Sequence, residues 1–284
     1  MGQAEQVTES CTYHGEGAFW DELRQRVRFV DMLAGDVVTL LPTGTVTRRH
    51  LGDVAAVVRA RAGGGYVVAV EHGFLLLDED WQPERSIRVL DDPQVRMNEG
   101  GCDPQGRFYC GTMAYDTSEG AGTLYRLEQD LSVATVLPAV TIPNGLVWSP
   151  DGATAYHSDT GPAVISAYRF DAAEGRLLDP QVLIRFDPDR GAPDGVAIDA
   201  EGGLWVALWG GGAVARYSPD GKLTERIELP VSNVTSCAFG GEDRRTLYIT
   251  TSQQGVDLER EPAAGALFAA EVGVAGRPLD AFAG

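Results

Sequence analysis

The chain has 284 residues, 35 of them glycine, and a formal net charge of -18 at neutral pH. That length is enough to bury a large core, and acidity spread along the whole chain repels phosphate backbones, which argues against nucleic-acid binding. No run of about eighteen apolar residues offers a membrane span, and MGQAEQVTES has neither the basic start nor the apolar centre of a signal peptide, so a soluble, cytoplasmic protein is expected.

Four cysteines, Cys11, Cys102, Cys110 and Cys237, form no CxxC pair and no zinc-ligand spacing. Cys102 and Cys110 flank one turn, but Cys102 should pair near residue 107, so the two thiols should not face each other. Four free thiols fit a reducing compartment.

In chain order, QVTESCTY offers a short strand and GEGAFW an apolar one. Next come DELRQRVRFVD, a turn and strand around Phe29, and VVTLLPTGTVTRRH, which reads as strand, turn, strand. The unit then recurs with an aromatic residue early in its second strand: GGGYVVAVEHG at Tyr66, DPQGRFYCGTM at Phe108, SPDGATAYHSDT at Tyr156, DAEGGLWVALWG at Trp205 and GEDRRTLYITTS at Tyr248. Further strand pairs follow the copies, as in GFLLLDEDWQPERSI, GTLYRLEQDLSVATV and GAVARYSPDGKLTERIEL. Six copies at roughly 37 to 49 residues match the period of propeller blades. Four strands per copy predict an all-β, six-bladed β-propeller with four-stranded antiparallel blades, one domain over residues 1–284. The last copy ends in GALFAAEV and lacks an outer strand, which QVTESCTY can supply, closing the ring. No long amphipathic helical pattern supports a TIM barrel or doubly wound sheet.

In such a ring, the segments entering the innermost strands converge at one mouth. IPNGLVW and APDGVAI place Asn144 and Asp194 there, GEGAFW places Glu16, and VRMNEGG places Arg96, Asn98 and Glu99. Asp53, Asn233 and Thr235 are weaker candidates from the second and sixth copies. Two carboxylates and an amide carbonyl, from Glu16, Asn144 and Asp194, form a set of oxygens suited to a hard divalent cation. Asx-Gly is also a turn signature, because Asn and Asp tolerate left-handed backbone, so ligand and turn both stay open at this point. His14 reads as a rim residue and His157 as structural. Neither GxSxG nor GxxxxGK[ST] occurs.

The ordered set GEGAFW, RMNEGGCDPQGRFYCGTM, IPNGLVWSPDG, PDGVAIDAEGGLWVALWGG and NVTSCAFGGEDRRTLYITT resembles the senescence marker protein/gluconolactonase/regucalcin family. The resemblance implies a six-bladed propeller with one divalent cation at the channel mouth, held by Glu16, Asn144 and Asp194. It further implies Asp194 as general base and Arg96 and Asn98 as contacts to substrate hydroxyls. Glu99, which stands where the family often has Asp, is expected to hold the ring hydroxyls together with Arg96 and Asn98. In the short loop AYDTSEGAG, the acidic substrate contact is expected at Glu119, with Asp116 behind it.

The activity implied is metal-dependent hydrolysis of a sugar lactone, such as gluconolactone or a related pentono- or hexono-lactone, to the aldonic acid. The cation, Ca²⁺, Zn²⁺, Mg²⁺, Mn²⁺ or Fe²⁺, would polarise the carbonyl while Asp194 activates water. The expected partner is a small-molecule lactone, with no nucleic acid, membrane or obligate protein partner and a monomer by default. Three other readings are a calcium-binding regulator without turnover, a phosphotriester or ester hydrolase on the same scaffold, and an interaction module using the propeller faces.

Overall fold

A computed structural model describes residues 3–284. Six four-stranded antiparallel sheets follow one another along the chain, and no α-helix interrupts them among the described residues. The innermost strands, in blade order, are Gly15–Asp21, Ala55–Ala60, Val95–Cys102, Pro143–Trp148, Ala192–Ile198 and Val234–Gly240. Blade six takes its outermost strand, Glu5–Gln6, from the N-terminal segment. The clasp is extended by Val7 N–H to Leu267 O at 2.8 Å and Cys11 N–H to Gly265 O at 3.0 Å. The ring therefore closes through the N-terminal strand, as the missing strand of the last copy required.

The repeated aromatic residues are the wedges between blades. Phe29, Tyr66, Phe108 and Trp205 are at most 1% exposed, and burying a side chain of that size stabilises by about 1.5–3 kcal/mol. Apolar clusters span neighbouring sheets, one of them gathering Phe19, Tyr66, Phe74 and Phe108 from blades one to three. Cys102 pairs with Phe108 and Cys110 with Gly100 across the third blade, so the two thiols do not face each other, and all four cysteines are free.

The Asp-centred turns lie at the end of the inner strand away from the mouth. Asp199 accepts the backbone N–H of Gly203 at 2.8 Å through Oδ1, and Trp205 Nε1 and Arg216 Nε through Oδ2. Asp103 does the same with Arg107 and the Tyr109 hydroxyl. Each such carboxylate is buried but fully partnered, which makes its burial tolerable. In blades three and five a buried Asp thus fastens the first hairpin.

At that far end, residues after Gly273 cross the channel. Arg277 reaches the carbonyl of Ser149 at 3.1 Å, Ala283 N–H bonds Gly106 O and Phe282 N–H bonds Ala60 O. Phe282 is fully buried.

Candidate active site

All six inner strands carry a register slip near the mouth. In blades one, three, four and five, two consecutive inner-strand residues lie opposite a single residue of the second strand. The slips fall between Glu16 and Phe19, Met97 and Gly100, Pro143 and Leu146, and Pro193 and Val196. These are β-bulges, which re-aim side chains at the rims of closed sheets. Asn98, Asn144 and Asp194 occupy them, and Glu16 stands at the start of its own.

The left-handed turn suggested by Asx-Gly is not what forms. Neither Asn144 and Asp194 nor the glycines after them have positive φ. Glycine is needed here for close approach between blades. A Cβ on Gly195 would lie 2.8 Å from Ser236 Cα of blade six, and one on Gly145 would collide with the Val196 amide of blade five.

The bulges open onto a cavity of about 230 Å³ lined by Glu16, Arg96, Asn98, Asn144, Asp194 and His14, with Trp209, Tyr115 and Thr117 among its walls. A hydrogen-bonded chain fixes the amides. Arg96 Nη1 donates to Asn98 Oδ1 at 2.8 Å, and Asn98 Nδ2 donates to Asn144 Oδ1 at 3.0 Å. Asn144 Nδ2 then donates to Thr160 Oγ1 at 2.7 Å, which itself donates to Pro193 O.

Glu16 and Asp194 are 2% and 3% exposed. Burial pushes both carboxyls well above the ordinary range, and the charge of Glu99 raises each further; Glu16 raises Asp194 as well. Asp194 Oδ1 is buried with no hydrogen-bond partner among the described residues. Buried carboxylates that repel one another, with an orphaned oxygen and an amide carbonyl beside them, are what a hard cation satisfies. The donor set therefore fits a divalent cation. Among the described residues no group of three or more His, Cys, Asp or Glu side chains is placed to hold a metal ion, so any such site here depends on the Asn144 amide.

His14 borders this cavity with Nδ1 2.8 Å from Ser252 Oγ and its ring edge-on to Trp209. Burial and the nearby Arg96 charge lower its pKa to about 3, so it is a neutral hydrogen-bonding wall at physiological pH. His157 is buried in the second strand of blade four, away from the cavity.

Two expected contacts are not brought to the cavity. Asn98 faces the mouth, while the next residue, Glu99, faces into the channel. There it lines a smaller cavity of about 50 Å³ together with Arg59, Ser236 and Asp280. Burial raises its pKa to about 7, opposed by Arg59. Glu119 is solvent-exposed on its loop, as is Asp116, whose carboxylate is occupied by Ser118 at 2.7 Å. That loop presents Tyr115 and Thr117 instead. Asp53 lines a neighbouring cavity, Asn233 bonds Gln254 O, and Thr235 bonds Gly15 O and pairs with Thr250. Tyr115, Thr160 and Trp209 were missed. Trp209 could have been found as a large aromatic closing a strand at the mouth level of blade five.

A propeller whose bulged inner strands converge buried oxygen ligands on one mouth defines the class. The description SMP-30/Gluconolactonase/LRE-like region matches residues 14–253, and the chain belongs to this family. It is 37% identical to 6-deoxy-6-sulfogluconolactonase of Pseudomonas putida over 279 residues, covering 95% of each chain. Regucalcin of Xenopus laevis is 36% identical over 283 residues, again 95% of each. Among solved structures, a regucalcin from Agrobacterium tumefaciens, described as a calcium-binding protein, superposes with a TM-score of 0.90 at 28% identity, covering 99% of this chain and 97% of the other. No helix among the described residues is long and apolar enough to cross a membrane.

Proposed function

We propose that the protein is a divalent-cation-dependent sugar lactonase acting on an aldono-lactone of five or six carbons. The observation carrying this reading is the unpartnered, buried Asp194 Oδ1, set with Glu16 and Asn144 in a cavity that also holds Arg96 and Asn98. Glu16, Asn144 and Asp194 would hold the cation, which supplies Lewis-acid polarisation of the lactone carbonyl.

This chain's own residues do the rest. Asp194 takes a proton from water as its oxygen bonds to the carbonyl carbon. The ring C–O bond then breaks, and the proton returns to the departing ring oxygen, leaving a hydroxyl and a carboxylic acid. Arg96 Nη2 makes no hydrogen bond within the described protein, so it can donate to a substrate hydroxyl. Arg96 Nη1 meanwhile holds Asn98 in place. Fixing the ring this way is an orientation effect, and it depends on the rigidity of the Arg96–Asn98–Asn144–Thr160 chain. The cavity lies below the usual range for drug-sized ligands of about 300–1,000 Å³, which suits a single sugar ring.

The test is to strip cations with a chelator, then follow acid release from five- and six-carbon aldono-lactones as Ca²⁺, Zn²⁺, Mg²⁺, Mn²⁺ or Fe²⁺ is restored singly. Turnover above background with at least one cation is expected. Tight cation binding without turnover of any lactone would instead favour a calcium-binding protein without catalysis; the Agrobacterium relative is described as a calcium-binding protein.

A further inference from the structure

The loop that was expected to deliver a carboxylate delivers an aromatic ring. Tyr115 lines the mouth cavity, and its hydroxyl donates to Glu71 Oε1 at 2.6 Å. Glu71 belongs to a second cavity of about 250 Å³ on blade two, with Asp53, His72 and Arg88 in its walls. The ring of Tyr115 therefore reaches from one cavity to the lining of the next.

We infer that Tyr115 is a specificity-determining partition, which ends the substrate cavity at the blade-three side and limits it to one sugar ring. Three contacts hold it in that place. Its backbone N–H bonds Gln94 O at 2.9 Å, and its ring lies over the Arg96 guanidinium, 5.8 Å from the centroid. Its hydroxyl is taken by Glu71, whose own carbonyl accepts Met97 N–H at 2.9 Å and so ties blade two to the bulged strand of blade three. The loop beyond is braced by Asp116 with Ser118 and by Thr117 N–H with Ala114 O. A side chain 44% exposed yet fixed at its backbone, face and tip is preorganised as a wall, with little ordering left to occur on binding. Behind it, Asp53, Glu71 and His72 offer acceptors and donors suited to the hydroxyls of a second sugar ring. The substrate class admitted is thus monosaccharide lactones, and removal of the ring should admit lactones of disaccharide aldonic acids.

This inference rests on the lactonase reading, so the experiment has two readouts. The first compares kcat/KM for a six-carbon aldono-lactone with that for a disaccharide-derived aldono-lactone, in the cation-loaded wild type, Tyr115→Ala and Tyr115→Phe. The second measures calorimetric binding of glucitol and of a disaccharide alditol to the same three proteins. Tyr115→Ala should raise the large-to-small ratio at least tenfold, the order expected when a pocket wall is removed. Tyr115→Phe, which keeps the ring and its Arg96 and backbone contacts, should stay within about threefold of wild type. An unchanged ratio in Tyr115→Ala, an equal shift in Tyr115→Phe, or no alditol binding to any of the three would overturn the partition. If the wild type hydrolyses no lactone with any cation, the lactonase reading fails, and the alditol ratios alone still decide the role of Tyr115.

Discussion

Blades one, three, four and five differ from blades two and six in one backbone detail. In the first group the slip leaves two inner-strand residues opposite one. In the second, a single residue, Ala56 or Thr235, has no partner across the pair. Each arrangement adds one residue to the inner strand, yet only the wider group carries the polar side chains that reach the mouth. Ala56 has no polar side chain to offer, and the Thr235 hydroxyl is spent on Gly15 O and Thr250. An irregularity repeated in every blade becomes a site only where the aimed residue is polar and faces the mouth rather than a neighbouring strand.

Two substitutions would break the first group. Asp194→Asn removes the charge of the proposed base and ligand together, so kcat should fall by about 10²–10⁴, the range for losing a general base. Cation affinity, read by calorimetry, should fall with it; full activity in this variant would overturn the mechanism. Gly195→Ala should cost on the order of 1–3 kcal/mol of stability by overpacking, because its methyl would press on Ser236 of blade six. Urea unfolding with an unchanged midpoint would show that the bulge does not depend on interblade contact.

The period of the repeat and its aromatic wedges carried the whole ring, including its closure by the N-terminal strand. That Glu16, Asn144 and Asp194 share one cavity was legible because each lies near the start of an apolar inner strand, a place where a surface turn has no reason to sit. Which way neighbouring residues face was not legible. Asn98 and Glu99 are adjacent in sequence, and only the bulge geometry sends one to the mouth and the other into the channel. Loop 114–122 was misread for a related reason. Acidity drew attention to Glu119, whereas the residue presented is set by backbone bonds such as Tyr115 N–H to Gln94 O.

The buried carboxyls tie cation binding to pH. With folded pKa values raised above the unfolded ones, Glu16, Asp194 and Glu99 contribute stability to the cation-free protein at low pH. That contribution is lost as pH rises from the ordinary carboxylate range through about 7 for Glu99. The cation-free protein should therefore melt at a lower temperature at pH 8 than at pH 5.5. The stabilisation given by a saturating divalent cation should change in the opposite sense, because its ligands must be deprotonated to bind. Parallel melting curves with and without cation check both signs, and a cation effect larger at pH 5.5 would contradict the assignment.

The mildest variant bears on the second group of blades. Asp53 precedes the inner strand of blade two and lies in the cavity behind Tyr115, not in the mouth. If position in the repeat alone made a ligand, Asp53→Asn would weaken cation binding as Asp194→Asn does. If an oxygen aimed into the mouth is required, cation affinity should change by less than about twofold, under 0.5 kcal/mol and within the usual effect of a substitution away from a site. Calorimetric titration of both variants with the same cation separates the two, since a tenfold loss in Asp53→Asn would return blade two to the set of ligand-bearing blades.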